Sequence, residues 1–199
     1  MEGMEDDPTF RFYAENAAIY AARTSASSRF RLDRFLLKLK PGAEILELGC
    51  GNGRDSALMI ERGFRVTPTD GTPEMAGEAE KRLGVPVRVL RFEDIDAVDA
   101  FDGVWANACL LHVPRSDLGA ILAGIHSALR SGGIFYASFK AGAAEGFDDL
   151  GRYYNYPSRE WLNAVYETRH WTSIDIDETH GGAYDDRPTD WLHVTAVKG

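Results

Sequence analysis

The run Glu47-Leu48-Gly49-Cys50-Gly51-Asn52-Gly53 sets three glycines at alternate positions directly after a short apolar stretch. Glycine adopts positive φ without a steric cost and leaves the backbone bare, so a ligand can approach it closely. A helix that starts just after such a loop offers unpaired N–H groups, which receive a carboxylate or a phosphate. The next apolar stretch, Phe64 to Thr69, is closed by Asp70, with Gly71 beside it. A carboxylate there accepts hydrogen bonds from both hydroxyls of a ribose. Strand, glycine loop, helix, strand and acid in that order make a nucleoside-cofactor site. The spacing is G-x-G-x-G and lacks the third glycine of a dinucleotide fingerprint, G-x-G-x-x-G. Further along, His112 follows a fourth apolar stretch, in a loop where a general base would stand.

The elements that must position these residues alternate between two periods. Phe10 to Arg23 is expected to be a helix, with Tyr13 and Tyr20 seven apart and therefore on one face. Ser27 or Ser28 caps a second helix, which Pro41-Gly42 ends. Strands are expected at Ala43 to Leu48, Phe64 to Thr69, Pro86 to Leu90, Phe101 to Ala106 and Ile134 to Phe139. Between them lie helices at Arg54 to Glu61, from a Thr72 cap with Pro73 first to Leu83, and from Ser116 to Leu129 before Ser131-Gly132-Gly133. Ser158 caps another near Glu160 to Glu167, and His170 to Glu178 and Trp191 to Val197 close the chain as two strands. Alternation of this kind predicts an α/β fold: a three-layer sandwich around a Rossmann-like seven-stranded sheet, mostly parallel, with an antiparallel strand at one edge.

Composition bounds the rest. The chain has 199 residues, which suits a single domain. A formal net charge of -9 repels phosphate backbones and argues against a nucleic-acid substrate. Cys50 and Cys109 have no metal-ligand spacing and read as small buried fillers near a site. The spacing of His170, His180 and His193 points to no metal. Met1 to Pro8 is acidic and unlike a signal peptide, and no apolar run reaches the roughly 20 residues of a membrane span, so a cytoplasmic protein without a membrane partner is expected.

The motif at Glu47, Gly49, Gly51 and Gly53 resembles the first motif, E/D-x-G-x-G-x-G, of the class I S-adenosylmethionine-dependent methyltransferases. The resemblance runs from about Ala43 to Lys140. It implies S-adenosylmethionine as cofactor, with the loop backbone, Cys50 included, against its methionine part and Asp70 on its ribose. It implies that Phe92 packs on the adenine, with Glu93 or Asp94 accepting from its amine. It sets Asn107 and the adjacent Ala108 backbone beside the cofactor. It also implies a helix over the cofactor, with Arg23 available to pair with its carboxylate. Arg54 either meets that carboxylate or pairs with Asp55 or Glu47. The stretches Ala106 to Pro114 and Gly151 to Pro157 resemble the small bacterial tellurite-resistance-type methyltransferases.

The expected organisation is one methyltransferase domain over residues 1-199, with an N-terminal helical cap (1-40), a cofactor-binding core (43-140) and a substrate-side segment with the C-terminal strands (141-199). The expected reaction is methyl transfer to a small-molecule acceptor by in-line displacement, in which alignment and water exclusion matter more than a base. Arg152, Tyr153, Tyr154 and Tyr156, with Lys140, are candidates for the acceptor wall. Two rivals are an NAD-dependent oxidoreductase, disfavoured by the missing glycine and by the absence of a catalytic tyrosine–lysine arrangement, and a non-catalytic S-adenosylmethionine-binding module.

Overall fold

In the computed structural model, residues 7–22, 29–182 and 188–199 are described. The apolar stretches become nine strands among those residues: β1 (Glu44–Glu47), β2 (Arg65–Asp70), β3 (Arg88–Val89), β4 (Phe101–Ala106), β5 (Leu129–Lys140), β6 (Gly146–Phe147), β7 (Tyr153–Tyr154), β8 (Trp171–Gly182) and β9 (Pro188–Lys198). The helices are α1 (Pro8–Ala22), α2 (Arg29–Leu36), α3 (Arg54–Glu61), α4 (Pro73–Leu83), α5 (Arg115–Ala128) and α6 (Arg159–Tyr166). Seven strands form one sheet in the order β3-β2-β1-β4-β5-β9-β8, while β6 and β7 pair separately. Neighbours from β3 to β5 run parallel, and β9 runs antiparallel to both β5 and β8.

Side chains alternate across the sheet, and the alternation builds two cores. Ile45, Trp105, Ile134 and Tyr136 face α2 and α3, packing with Leu32, Phe35 and Met59. Leu46, Val104, Phe135 and Ala137 face the other way, onto Leu118, Leu122 and Ile125 of α5 and Leu162 of α6. Helices on both faces give the three layers expected from the sequence. Trp105 stacks on Tyr136 with centroids 4.0 Å apart, which locks β4 to β5 under the site.

Three local expectations change. β5 begins at Leu129 and not at Ile134, because Leu129 already pairs with Phe101; the residues before Ile134 then bulge out, with Gly132 at φ 75. Thr72 stands at the start of α4, but its hydroxyl makes no cap bond, and Asp70 fixes that turn through the Thr72 N–H. α5 opens at Arg115 after Pro114, and the Ser116 hydroxyl turns to Asp117 instead. Ser158 does cap α6, accepting from the Trp161 N–H at 3.2 Å. The Ser27 or Ser28 cap and Arg23 lie outside the described residues.

Candidate functional site

The carboxyl ends of β1, β2, β4 and β5 open into one cavity of about 1540 Å³, covered by α1. That is where ligands bind in an open α/β sheet. At one end the wall is the glycine loop. Gly49, Gly51 and Gly53 have φ of 60, 58 and 74. A Cβ at Gly49 would stand 2.5 Å from that of Cys109, so the position admits glycine on space as well as on φ. Gly53 turns the chain into α3 against Leu83 and does not itself line the cavity.

Asp70 closes this loop. One carboxylate oxygen accepts the Gly51 N–H at 3.0 Å and the other the Thr72 N–H at 3.0 Å. Burial pushes its carboxyl up to about 6, against the pull of those N–H groups. Glu47 is buried below, accepting from the Ser56 hydroxyl, and its carboxyl is raised by burial and by Asp55. Asp55 accepts from Arg54 Nε at 3.1 Å, Trp105 Nε1 at 3.0 Å and Asn107 Nδ2 at 3.2 Å. Of the three roles open to Arg54, the structure shows the Asp55 pairing. The chain continues through Asn107 Oδ1, which accepts from the Ser138 hydroxyl, to the Ala108 N–H, which donates to Ser138 Oγ at 2.8 Å. This holds Ala108 at φ 55 beside the loop.

At the mouth, a short turn over Phe92–Asp94 sets Phe92 and Glu93 into the lining. Asp94 is not in the lining, and Glu93 also pairs with Arg91 at 3.1 Å. Phe10 of α1 lies over Gly71, where a Cβ would meet its ring at 2.8 Å, and Arg91 covers that ring at 4.2 Å.

The opposite end is made of side chains from separate elements. Tyr13 and Tyr20 share a face of α1, with rings 5.4 Å apart. The Tyr13 hydroxyl is 2.9 Å from His112 Nε2, and His112 Nδ1 is 2.6 Å from the Tyr153 carbonyl. A carbonyl only accepts, so Nδ1 carries the proton and Nε2 accepts from Tyr13. Burial, with Arg152 and Lys140 nearby, lowers the His112 pKa to about 4. His112 is therefore a neutral base whose lone pair is held by Tyr13. Lys140, Arg152 and Tyr154 complete this wall; Tyr153 and Tyr156 do not line it. Both cysteines are buried free thiols in the lining.

Sequence reading passed over several lining residues. Ser138 was findable from its place near the end of β5, beside β4. Asp55 was findable as an acid in the first turn after a glycine loop. Phe10, Arg31, Thr179 and His193 reach the cavity only through tertiary packing, and no local signal marks them.

Residues 45–133 match a family described as a methyltransferase domain. The chain is 37% identical over 116 residues to a ubiquinone biosynthesis O-methyltransferase of Xanthomonas axonopodis pv. citri, covering 54% of this chain and 48% of that protein. It thus spans about half the length of the curated relatives it matches. Among solved structures it resembles the 1,6-didemethyltoxoflavin-N1-methyltransferase of Burkholderia thailandensis, crystallised with 1,6-didemethyltoxoflavin and S-adenosylhomocysteine. That likeness has a TM-score of 0.76 and 27% identity over 95% of this chain and 85% of the other. The fold is that of a class I S-adenosylmethionine-dependent methyltransferase. A phosphoethanolamine N-methyltransferase of Haemonchus contortus shares the methyltransferase fold at a TM-score of 0.73 and 16% identity, over 99% of this chain and 58% of that one.

Proposed function

We propose that this chain is an S-adenosylmethionine-dependent methyltransferase that transfers a methyl group to a small-molecule acceptor by in-line displacement, acting as one domain over residues 1–199. The observation that carries the reading is the Asp70 clamp across a glycine loop, at the head of a cavity that runs on to Tyr13 and His112.

The residues fit the cofactor. The positive-φ glycines bare the loop backbone to the cavity, and Gly49, Cys50 and Gly51, all in its lining, would back the methionine part. Asp70 would hold the ribose hydroxyls on the lone pairs its two backbone bonds leave over. Phe10 and Phe92 would flank the adenine, with Glu93 accepting from its amine. Glu47 and Asp55, with Asn107 and Ala108 next to them, would face the cationic part. Bound there, the cofactor supplies a methyl group on a sulfonium, an electrophile that needs no activation.

The chain's own contribution is alignment and exclusion of water under α1. Tyr13 is the residue that would touch the acceptor. A lone pair on its hydroxyl receives the acceptor's X–H, while its own proton is already directed at His112 Nε2. His112 is then a positioning residue that acts through Tyr13, which refines the direct base role expected from sequence.

An NAD-type pyrophosphate would meet Asp55 in the first turn of α3 and Glu47 at the end of β1, where a dinucleotide site needs bare N–H groups. A purely regulatory binding module has no use for the Tyr13–His112 pair. The net charge of -9 supports a small acceptor over nucleic acid. No helix among the described residues is long and apolar enough to cross a membrane, and two free thiols suit a reducing compartment, so the reading is cytoplasmic. Both stretches that carry the tellurite-resistance-type resemblance contribute to the cavity wall, which keeps a metalloid oxyanion among the acceptors to test.

The test is release of S-adenosylhomocysteine across a panel of phenols, ring N–H acids, thiols, amines and metalloid oxyanions. Release with at least one acceptor is expected, and it should be slowed in Tyr13→Phe. Cofactor binding without release across the panel would favour the regulatory module.

A further inference from the structure

The cavity is electrically polarised. Glu47, Asp55 and Asp70 line the glycine-loop end, with Arg54 paired to Asp55, whereas the far end carries Lys140 and Arg152, the latter paired to Asp148. Lys140 is 7% exposed and Arg152 is 1% exposed. Buried cations need charged or polar partners, and Arg152 has Asp148 as one. Both approach the same ring. Lys140 Nζ lies 4.2 Å and Arg152 Cζ 5.4 Å from the centre of Tyr154, which itself stands 4.6 Å from the His112 ring. Asp148 takes two hydrogen bonds from Arg152, which orients the guanidinium beside Tyr13. All of this sits in a chain of net charge -9, so the basic end is a local feature and not a reflection of the whole.

Resting on the methyltransferase reading, we propose that the acceptor is an acid that takes the methyl group as its anion, an ionised phenol, enol or ring N–H, held against Lys140 and Arg152. The titratable groups facing it are Tyr13 and Tyr20 from α1, His112 after β4, Lys140 from β5, and Asp148, Arg152 and Tyr154 around β7. His112 stays neutral down to about pH 4 and cannot store a proton at neutral pH. Its Nδ1–H is spent on the Tyr153 carbonyl, which passes no proton on, so the acceptor gives its proton to water on entering the cavity, and the field of the two cations stabilises the charge left behind. Methyl transfer then makes one bond, from the acceptor's lone pair to the methyl carbon. It breaks one, whose electron pair departs on sulfur, and the two opposite charges cancel. An aliphatic amine, cationic at neutral pH, meets like charges at this end.

The test uses protein saturated with S-adenosylhomocysteine and three probes of similar size: 4-nitrophenol, whose anion absorbs visible light, neutral nitrobenzene and cationic benzylamine. We expect 4-nitrophenol to bind about tenfold or more tighter than the other two, with its ionisation midpoint lowered by about one pH unit on binding. Lys140→Met should abolish both effects and Lys140→Arg should restore them, with S-adenosylhomocysteine affinity unchanged in each. No preference for the anion, no binding of 4-nitrophenol, an unshifted midpoint or an unaltered preference in Lys140→Met overturns the proposal. Failure of S-adenosylhomocysteine itself to bind overturns the cofactor reading instead.

Discussion

The two ends of the cavity are built from different material. The glycine-loop end is largely backbone, with three residues at positive φ and a carboxylate bonded to two main-chain N–H groups, all from residues 47–72. The far end is side chains, contributed by α1, the turn after β4, β5 and the segment around β7. One is acidic and the other basic. A backbone cradle is fixed by φ and by the few groups that brace it, here Asp70 and Cys109, whereas a side-chain wall is rewritten by single substitutions. Donor binding is thus tied to the fold, and acceptor choice is separable from it.

Gly49→Ala attacks the backbone end most directly. Positive φ and the approach to Cys109 together should cost about 2–4 kcal/mol of stability, read by chemical denaturation, and S-adenosylhomocysteine binding should disappear. Tyr13→Phe attacks the other end. It should lower kcat about 100-fold and leave S-adenosylhomocysteine affinity as it was, since the lost hydroxyl aligns the acceptor and not the cofactor. Equal damage to binding and turnover would merge the two ends that we separate.

Asp70→Asn should weaken S-adenosylhomocysteine binding roughly 10- to 100-fold, the range for a hydrogen bond to a charged group. In wild type, Asp70 titrates near 6, so affinity should hold above that pH and fall as the carboxylate protonates below it. The Asn variant should show no such step. His112 gives a smaller effect on stability. Its folded pKa is depressed to about 4, so its contribution is present above the unfolded value and is lost as pH falls through the folded one. Stability read by denaturation should therefore fall by ~3 kcal/mol on acidification across that window, and by less in His112→Gln.

The same contrast explains what the sequence made legible. Glu47 to Gly53 and Asp70 could be read directly because each signal is local: a glycine that needs positive φ, an acid at a strand end. The seven-stranded sheet was readable from alternating periods, and the antiparallel pairing of β8 with β9 from the missing helix between them. The Tyr13–His112 bond joins residues 99 apart, so its existence depends on where α1 settles over the sheet. Lys140 and Arg152 could be named as neighbours of a pocket, but their approach to Tyr154 is a product of packing. The start of β5 misled for a related reason. Ser131-Gly132-Gly133 reads as a loop before Ile134, but the strand already begins at Leu129, paired with Phe101.

The central claim is that the Asp70-clamped loop holds S-adenosylmethionine. Calorimetric titration of wild type and Asp70→Asn with S-adenosylhomocysteine tests it most directly. One saturable site per chain, much weakened in the variant, is the predicted result. No saturable binding, or equal affinity in the two proteins, would contradict it.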